Sequence, residues 1–158
     1  MSKSSKEKMN QTLKNLQVMQ NWNNEHLNVL ILDDDPSINR IIEHNLIMEN
    51  QRMVQNFKEL PRPLHISCFT NEVEAINAIH NNSYDICIID VSLQNSNGFT
   101  IGRIIRSMNY SEVPIIYISS DSDYLFDYYK IDQGNTYFYP KPLDRDAFQN
   151  VFSNMVKL

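Results

Sequence analysis

The chain has 158 residues, of which 42% are hydrophobic and 21% are charged, a balance typical of one compact globular domain. A net charge of -5 argues against a nucleic-acid-binding surface spread over the whole domain. No apolar run approaches the roughly 18 residues of a membrane span, and residues 1–10 lack the apolar core of a signal peptide. We therefore expect a cytoplasmic protein that binds neither a membrane nor DNA directly.

The first 27 residues differ in pattern from the rest of the chain. We divide the sequence into an N-terminal extension, residues 1–27, and a domain, residues 28–158. Met9, Leu13 and Leu16 recur at helical spacing, which favours a short amphipathic helix. A frayed polar tail is an equally good interpretation. If the helix forms, we expect it to pack on the far end of the domain's first helix, within one chain or between the chains of a homodimer.

Apolar runs typical of strands alternate with helical patterns throughout the domain. The predicted strands are residues 28–33, 65–69, 86–90, 115–119 and 137–139. The predicted helices are residues 36–60, 72–80, 123–131 and 144–156, with a further helix holding Ile101, Ile104, Ile105 and Met108. This alternation implies βαβ units, a parallel sheet and helices on both of its faces. The sequence therefore predicts a doubly wound α/β fold.

Carboxylate, hydroxyl and ammonium side chains follow several of the predicted strands. They are Asp33, Asp34, Asp35, Asp90, Ser119 and Lys141. Ligands of an open parallel sheet bind outside the carboxyl ends of its strands, so we expect these side chains to converge on one cleft.

The chemistry of this set favours phosphoryl transfer with a hard metal ion. Clustered carboxylates repel one another unless a cation or protons neutralise them. Without Cys or His ligands nearby, the predicted ion is Mg²⁺, with Mn²⁺ as a second choice. A lysine and a hydroxyl suit a phosphoryl group, and an aspartate can act as the nucleophile. The alternative is a set of helix-capping carboxylates, which fits Asp35 better than Asp90, because Asp90 ends an apolar strand.

The order and spacing of these residues resemble the response-regulator receiver domain of two-component signalling, across residues 28–158. The matching residues, in chain order, are Asp33, Asp34, Asp90, Gly98, Ser119, Gly134, Lys141 and Pro142. The resemblance implies a flavodoxin-like sheet of five strands in the order 2-1-3-4-5. It also implies a stand-alone, chemotaxis-regulator-like phosphoprotein rather than a classical enzyme, one that phosphorylates itself from a phosphodonor.

The resemblance further implies a role for each site residue. Asp90 is the phosphoacceptor, and the donor is a histidine kinase or a phosphotransfer protein. The implied Mg²⁺ ligands are Asp34, Asp33 (directly or through water), Asp90 and the backbone carbonyl of Ser92. Lys141 is implied to pair with the phosphoryl oxygens, through a cis Lys141–Pro142 peptide bond that aims its side chain at the cleft.

The signal is implied to pass through two switch residues. Ser119 turns toward the phosphoryl group and vacates space for the aromatic side chain of Phe138. No output domain follows residue 158 in this sequence. We therefore expect phosphorylation to switch a surface that binds a downstream effector protein, rather than a DNA-binding domain.

Two positions depart from the family pattern. Gln94 stands where the family usually has proline, so we expect a less rigid loop after Asp90. Phe138 replaces the usual tyrosine, so the switch residue has no hydroxyl. Ser120 is small, as the family favours, which should leave the site open to a phosphodonor.

Two other functions are compatible with parts of the pattern. One is a receiver-like interaction scaffold that takes no phosphate. The other is a haloacid-dehalogenase-like phosphatase, whose D-x-D nucleophile motif can be matched to Asp33 through Asp35. That phosphatase needs a further acidic pair after a later strand. Only Asp144 and Asp146 follow Lys141, and they open a predicted helix.

The cysteines and histidines show no ligand spacing. Cys68 and Cys87 lie in apolar runs, so we expect buried thiols. The expected strand order separates them by two strand spacings, roughly 10 Å, which exceeds the span of a disulfide. We assign no role to His26, His44, His65 or His80.

Overall fold

The computed structural model describes residues 6–10, 26–57, 63–108, 112–120, 135–142, 146 and 149. The strands and helices, in chain order, are β1 Leu27–Leu32, α1 Pro36–Phe57, β2 Leu64–Phe69, α2 Glu72–Asn81, β3 Ile86–Asp90, α3 Gly98–Ser107, β4 Ile115–Ser119 and β5 Thr136–Pro140. Residues 6–10, 146 and 149 are also helical. Within these ranges, no helix combines the length and the apolar character that a membrane span requires.

Some predicted features fall outside the described residues. They are the helix at 123–131, most of the helix at 144–156, Gly134, and residues 11–25 of the extension. The elements that are described lie close to their predicted bounds. β3 and β4 match them, while α1 ends at Phe57 and β5 extends to Thr136–Pro140.

All five strands are parallel and form one sheet in the order β2-β1-β3-β4-β5, which confirms the predicted flavodoxin-like topology. The register aligns the carboxyl ends of the strands. Leu32 is paired with Ile89, Asp90 with Ile118, and Ser119 with Pro140. Residues that directly follow β1, β3 and β5 are therefore brought to the same edge of the sheet.

The core consists of two apolar layers, one on each face of the sheet. Successive residues of a strand point to opposite faces, so Val29 and Ile31 belong to one layer while Leu30 and Leu32 belong to the other. The first layer also includes Ile42 and Leu46 of α1. The second includes residues of α2 and α3, namely Ala75, Ile79, Phe99, Ile101 and Ile105. Helices therefore cover both faces, as predicted for a doubly wound fold.

Among the described residues of α1 and α2, the two most exposed large apolar side chains lie outside the core. Ile41 of α1 is 54% exposed and Val73 of α2 is 65% exposed. The sheet is covered by a narrower stripe of each helix, through Ile42 in α1 and through Ala75 and Ile79 in α2. Neighbouring positions of a helix are rotated away from that stripe, so Ile41 and Val73 face solvent.

The two thiols lie in different environments, which corrects one of the predictions. Both cysteines are free, as predicted, but only Cys87 is buried; Cys68 is exposed. Cys68 belongs to β2, an edge strand of the sheet, whose side chains are only partly covered. Its Sγ lies 3.8 Å from Oε2 of Glu43. Although Cys68 is exposed as a whole residue, partial burial of its thiol, with the nearby Glu43 carboxylate, raises the pKa of Cys68 to about 11. Full burial raises the pKa of Cys87 to about 12.

Candidate functional site

Three carboxylates meet at the carboxyl edge of the sheet. Asp33 and Asp34 follow β1, Asp90 ends β3, and one carboxylate oxygen of each lies within 4.8 Å of the other two. Asp33 and Asp90 are 1% and 2% exposed, and Asp34 is partly exposed. Burial, together with the charge of Asp33, raises the pKa of Asp34 and of Asp90. The cluster therefore favours proton or cation binding.

Lys141 brings an ammonium group into this cluster. Its Nζ lies 2.7 Å from Oδ2 of Asp33 and 3.2 Å from Oδ1 of Asp90. Burial alone would lower the pKa of Lys141, but the hydrogen bonds and charges of the two carboxylates outweigh it and raise the pKa. The backbone N–H of Lys141 donates to the carbonyl of Ser119, at 2.8 Å. The Lys141–Pro142 peptide bond is cis, as predicted.

The buried side-chain amide of Asn39 is hydrogen-bonded to the backbone of Asp33. Nδ2 of Asn39, in the first turns of α1, donates to the carbonyl oxygens of Asp33 and Phe69, at 3.1 and 3.0 Å. The N–H of Asp33 also donates to the Phe69 carbonyl, so β1 and β2 are joined at their ends. Sequence reasoning missed Asn39. The available signal was a polar residue three positions before Ile42, on the buried side of an amphipathic helix.

Asp35, unlike Asp33 and Asp34, is not a member of the carboxylate cluster. Its Oδ1 accepts hydrogen bonds from the backbone N–H and the hydroxyl of Ser37, at 2.9 and 2.6 Å. These bonds lower the pKa of Asp35, which is exposed. They are the bonds of a helix N-cap at the start of α1. The alternative interpretation of helix-capping carboxylates is therefore correct for Asp35.

The loop between β3 and α3 is folded closely around Asp90. The N–H of Ser92 donates to Oδ1 of Asp90 at 3.3 Å, and Ser92 forms an isolated antiparallel bridge with Asn97. The N–H of Gly98 donates to the carbonyl of Val91. A Cβ atom on Gly98 would lie 2.2 Å from the carbonyl oxygen of Asp90, so only glycine fits at this position. That contact explains why a glycine stands eight residues after Asp90.

The two predicted switch residues lie on neighbouring strands. Ser119 is buried at the end of β4, and Phe138 is partly buried on β5. Phe138 is paired with Tyr117, which lies two residues before Ser119 and therefore on the same face of the sheet. Phe138 packs against the apolar layer that contains Tyr117. Ser119 itself is paired with Pro140, so Phe138 lies on the neighbouring strand, two residues before that partner.

The donor set fits a hard divalent cation. All three candidate ligands are carboxylates, and oxygen ligands are preferred by Mg²⁺ and Mn²⁺, whereas structural zinc sites use thiolate and imidazole. The described residues do not supply the second acidic pair that a haloacid-dehalogenase-like phosphatase needs. Asp146 is exposed and is not a member of the cluster, and Asp144 lies outside the described residues.

Comparison with known proteins gives one sequence match and many matches of fold. The sequence matches the family of the response regulator receiver domain over residues 29–153. A search of curated proteins finds no significant match. The structure is similar to a putative response regulator from Chloroflexus aurantiacus, with 19% identity and a TM-score of 0.67, covering 85% of this chain and 100% of that one.

Two other solved structures were determined with magnesium. The receiver domain of a sensor histidine kinase from Pseudomonas aeruginosa has a magnesium ion coordinated in its active-site cleft; identity is 18%, the TM-score is 0.66, and coverage is 85% of this chain and 100% of that chain. The response regulator TrrA from Thermotoga maritima was solved in complex with Mg²⁺ and BeF; identity is 20%, the TM-score is 0.64, and coverage is 81% and 97%. At these identities the likeness concerns the fold.

Proposed function

Since this chain belongs to the response regulator receiver domain family, we propose that it is a phosphoacceptor whose Asp90 takes a phosphoryl group in a Mg²⁺-dependent reaction. The observation that supports this most strongly is the position of Asp90. Its buried carboxylate lies at the carboxyl edge of the sheet, 3.2 Å from the Lys141 ammonium and clustered with the carboxylates of Asp33 and Asp34. That arrangement combines a nucleophile, a cation and an acidic metal site.

Asp33, Asp34 and Asp90 would hold the metal ion, together with the backbone carbonyl of Ser92. Bound Mg²⁺ supplies positive charge that neutralises phosphoryl oxygens and the carboxylates themselves. The chemistry of the cluster supports this assignment, because its ligands are oxygens and the burial of Asp90 raises the pKa of that carboxyl. The magnesium found in the receiver domain of the Pseudomonas aeruginosa kinase supports it by analogy.

Phosphoryl transfer would proceed by attack of an Asp90 carboxylate oxygen on the phosphorus of a phosphohistidine. The O–P bond forms as the P–N bond breaks, and the leaving imidazole nitrogen keeps the electron pair. The histidine would belong to a histidine kinase or a phosphotransfer protein. Lys141 would pair with the phosphoryl oxygens, since its Nζ already lies between Asp33 and Asp90.

The output would be a change in protein binding. Ser119 would turn toward the phosphoryl group, and Phe138 would occupy the space that Ser119 vacates. Because Phe138 has no hydroxyl, its two positions would differ in apolar packing alone. The changed surface would bind a downstream effector protein rather than DNA, because the acidic chain opposes the phosphate backbone.

Three broader expectations stay predictions. They are the division at residues 1–27 and 28–158, a homodimer formed through the extension, and a cytoplasmic location. Of the extension, residues 6–10 are helical and Met9 is exposed.

The proposal is tested by intact mass after incubation with acetyl phosphate, with and without Mg²⁺. We expect one added phosphoryl group in the wild type with Mg²⁺ and none in Asp90→Asn. Asp85→Asn is a matched control, because Asp85 precedes the other end of β3, where its carboxylate accepts from the N–H of Asn28. It should be phosphorylated like the wild type. An unmodified wild type would favour the interaction scaffold, and a phosphorylated Asp90→Asn would exclude Asp90 as the nucleophile.

A further inference from the structure

The loop after Asp90 is joined to α2 by a buried carboxylate that the proposed function does not use. Glu72, the first residue of α2, is only 9% exposed. Its Oε1 accepts a hydrogen bond of 3.1 Å from the backbone N–H of Asn95. Asn95 follows Gln94, which stands where the receiver resemblance implies a proline. A side chain of α2 therefore contacts the loop one residue after Gln94.

Other contacts hold the two ends of this loop. The Ser92–Asn97 bridge and the bond from the Gly98 N–H to the Val91 carbonyl join the ends to each other. Asn95 lies between them, at the exposed tip. The Glu72 bond thus ties the tip of the loop to the body of the domain.

Helix capping does not account for the burial of Glu72. The N-cap of α2 is Asn71, whose Oδ1 already accepts from the N–H groups of Val73 and Glu74, at 2.9 and 3.2 Å. Burying a carboxylate is unfavourable unless it is hydrogen-bonded. The bond from Asn95 provides such a partner, and a hydrogen bond to a charged acceptor is stronger than one between neutral groups.

We propose that Glu72 is a positioning residue for the metal-binding loop. It holds the tip at Asn95 and thereby fixes the loop segment that presents the Ser92 carbonyl. With glutamine at position 94, the bond from the Asn95 N–H to Glu72 restrains the tip of the loop. The inference rests on the proposed function, because the fixed loop matters only if Ser92 contributes to the metal site.

Backbone amide exchange tests the contact without any phosphorylation. In Glu72→Ala, we expect the amide of Asn95 to exchange about tenfold faster, because local opening no longer breaks a hydrogen bond. Glu74→Ala is the matched control, since it removes an exposed carboxylate from the same turn of α2. It should leave the exchange of Asn95 unchanged. Glu72→Gln keeps an oxygen acceptor and should fall between wild type and Glu72→Ala. Equal exchange in all four proteins would overturn the proposal.

The functional consequence is tested by the Mg²⁺ concentration that gives half-maximal phosphorylation from acetyl phosphate. Glu72→Ala should raise it about three- to tenfold, roughly the net effect of losing one hydrogen bond, with an unchanged yield at saturating Mg²⁺. Adding Gln94→Pro should return it toward the wild-type value, because proline restrains the loop again. An unshifted midpoint in Glu72→Ala, or no recovery with Gln94→Pro, would contradict the positioning role. Failure of the wild type to accept phosphate would refute the proposed function, while amide exchange would still decide the loop contact.

Discussion

Ile89 and Asp90 are neighbours on β3 and are almost equally buried, with 0% and 2% of their surface exposed. Their contributions to the fold are opposite. Burying the isoleucine stabilises the folded state by about 25 cal/mol for each Å² of apolar surface removed from water. Burying the aspartate disfavours its charged form, which is why its pKa is raised. The interiors of the strands therefore supply stability, whereas their carboxyl ends use part of it to hold reactive groups together.

Lys141 reduces the free-energy cost of burying carboxylates at the carboxyl ends of the strands, because its ammonium group lies next to two of them. Three carboxylates and one ammonium group still leave an excess of negative charge. A divalent cation would balance that excess. The comparison of strand interiors with strand ends thus supports the proposed metal-dependent function. Each of the following predictions tests either the strand interiors or the strand ends.

The largest expected effect is a loss of stability in the strand interior. Ile88→Ala should lower the free energy of unfolding by about 2–5 kcal/mol, because it removes buried methyl groups and leaves a cavity. Asp90→Asn, at a site of equal burial, should not lower it without metal, since the change removes a buried negative charge beside Asp33. Urea denaturation of both variants at neutral pH measures the difference. If Asp90→Asn were destabilised and Ile88→Ala were not, the strand interior would not be the source of stability and this prediction would be wrong.

The next largest expected effect is on the rate of phosphorylation, when the ammonium group of Lys141 is removed. Lys141→Ala should keep the fold and slow phosphorylation about ten- to a hundredfold, because a preorganised charge no longer neutralises the phosphoryl oxygens. Initial rates with acetyl phosphate at saturating Mg²⁺ measure this. Arg103→Ala removes an exposed positive charge from α3 and serves as the control. Equal rates in both variants would mean that Lys141 does not act on the phosphoryl group.

The smallest expected effect is a pH dependence of folding stability, which reveals how much stability the carboxylates at the strand ends cost. The pKa values of Asp34 and Asp90 are raised from 3.8 in the folded protein. The folded state therefore keeps these protons to a higher pH than the unfolded state does. Metal-free stability should consequently fall as the pH rises from 3.8 through the raised values. Thermal unfolding should show a smaller fall for Asp90→Asn than for wild type, and Mg²⁺ should reduce that difference. Identical pH profiles would contradict a raised pKa at Asp90.

The sequence predicted best the bounds of those strands whose own residues indicate how they are buried. Residues 86–90 and 115–119 were predicted with their observed bounds, because runs of isoleucine are typical of strands covered on both faces. The alignment of Asp33, Asp90 and Lys141 followed from parallel strands of similar length. The exposure of Cys68 was not predictable from its apolar run, since it depends on the position of β2 at the edge of the sheet.

Supporting hydrogen bonds were the least predictable part of the site. Asn39 bonds to a carbonyl 30 residues away, and the partner of Glu72 is 23 residues away. Neither side chain carries a local signal for its partner, because a glutamate at a helix start is common for reasons of helix polarity alone. Only the folded arrangement of α1, α2 and the loop after β3 brings these groups together.

The identity of the phosphorylated residue tests the central claim most directly. Wild-type protein phosphorylated with acetyl phosphate and Mg²⁺ can be reduced with borohydride, which converts an aspartyl phosphate into homoserine, and then mapped by peptide mass spectrometry. We predict homoserine at position 90 and unmodified aspartate at positions 33 and 34. Homoserine at position 33 would contradict the assignment of Asp90 and would favour the D-x-D phosphatase chemistry instead.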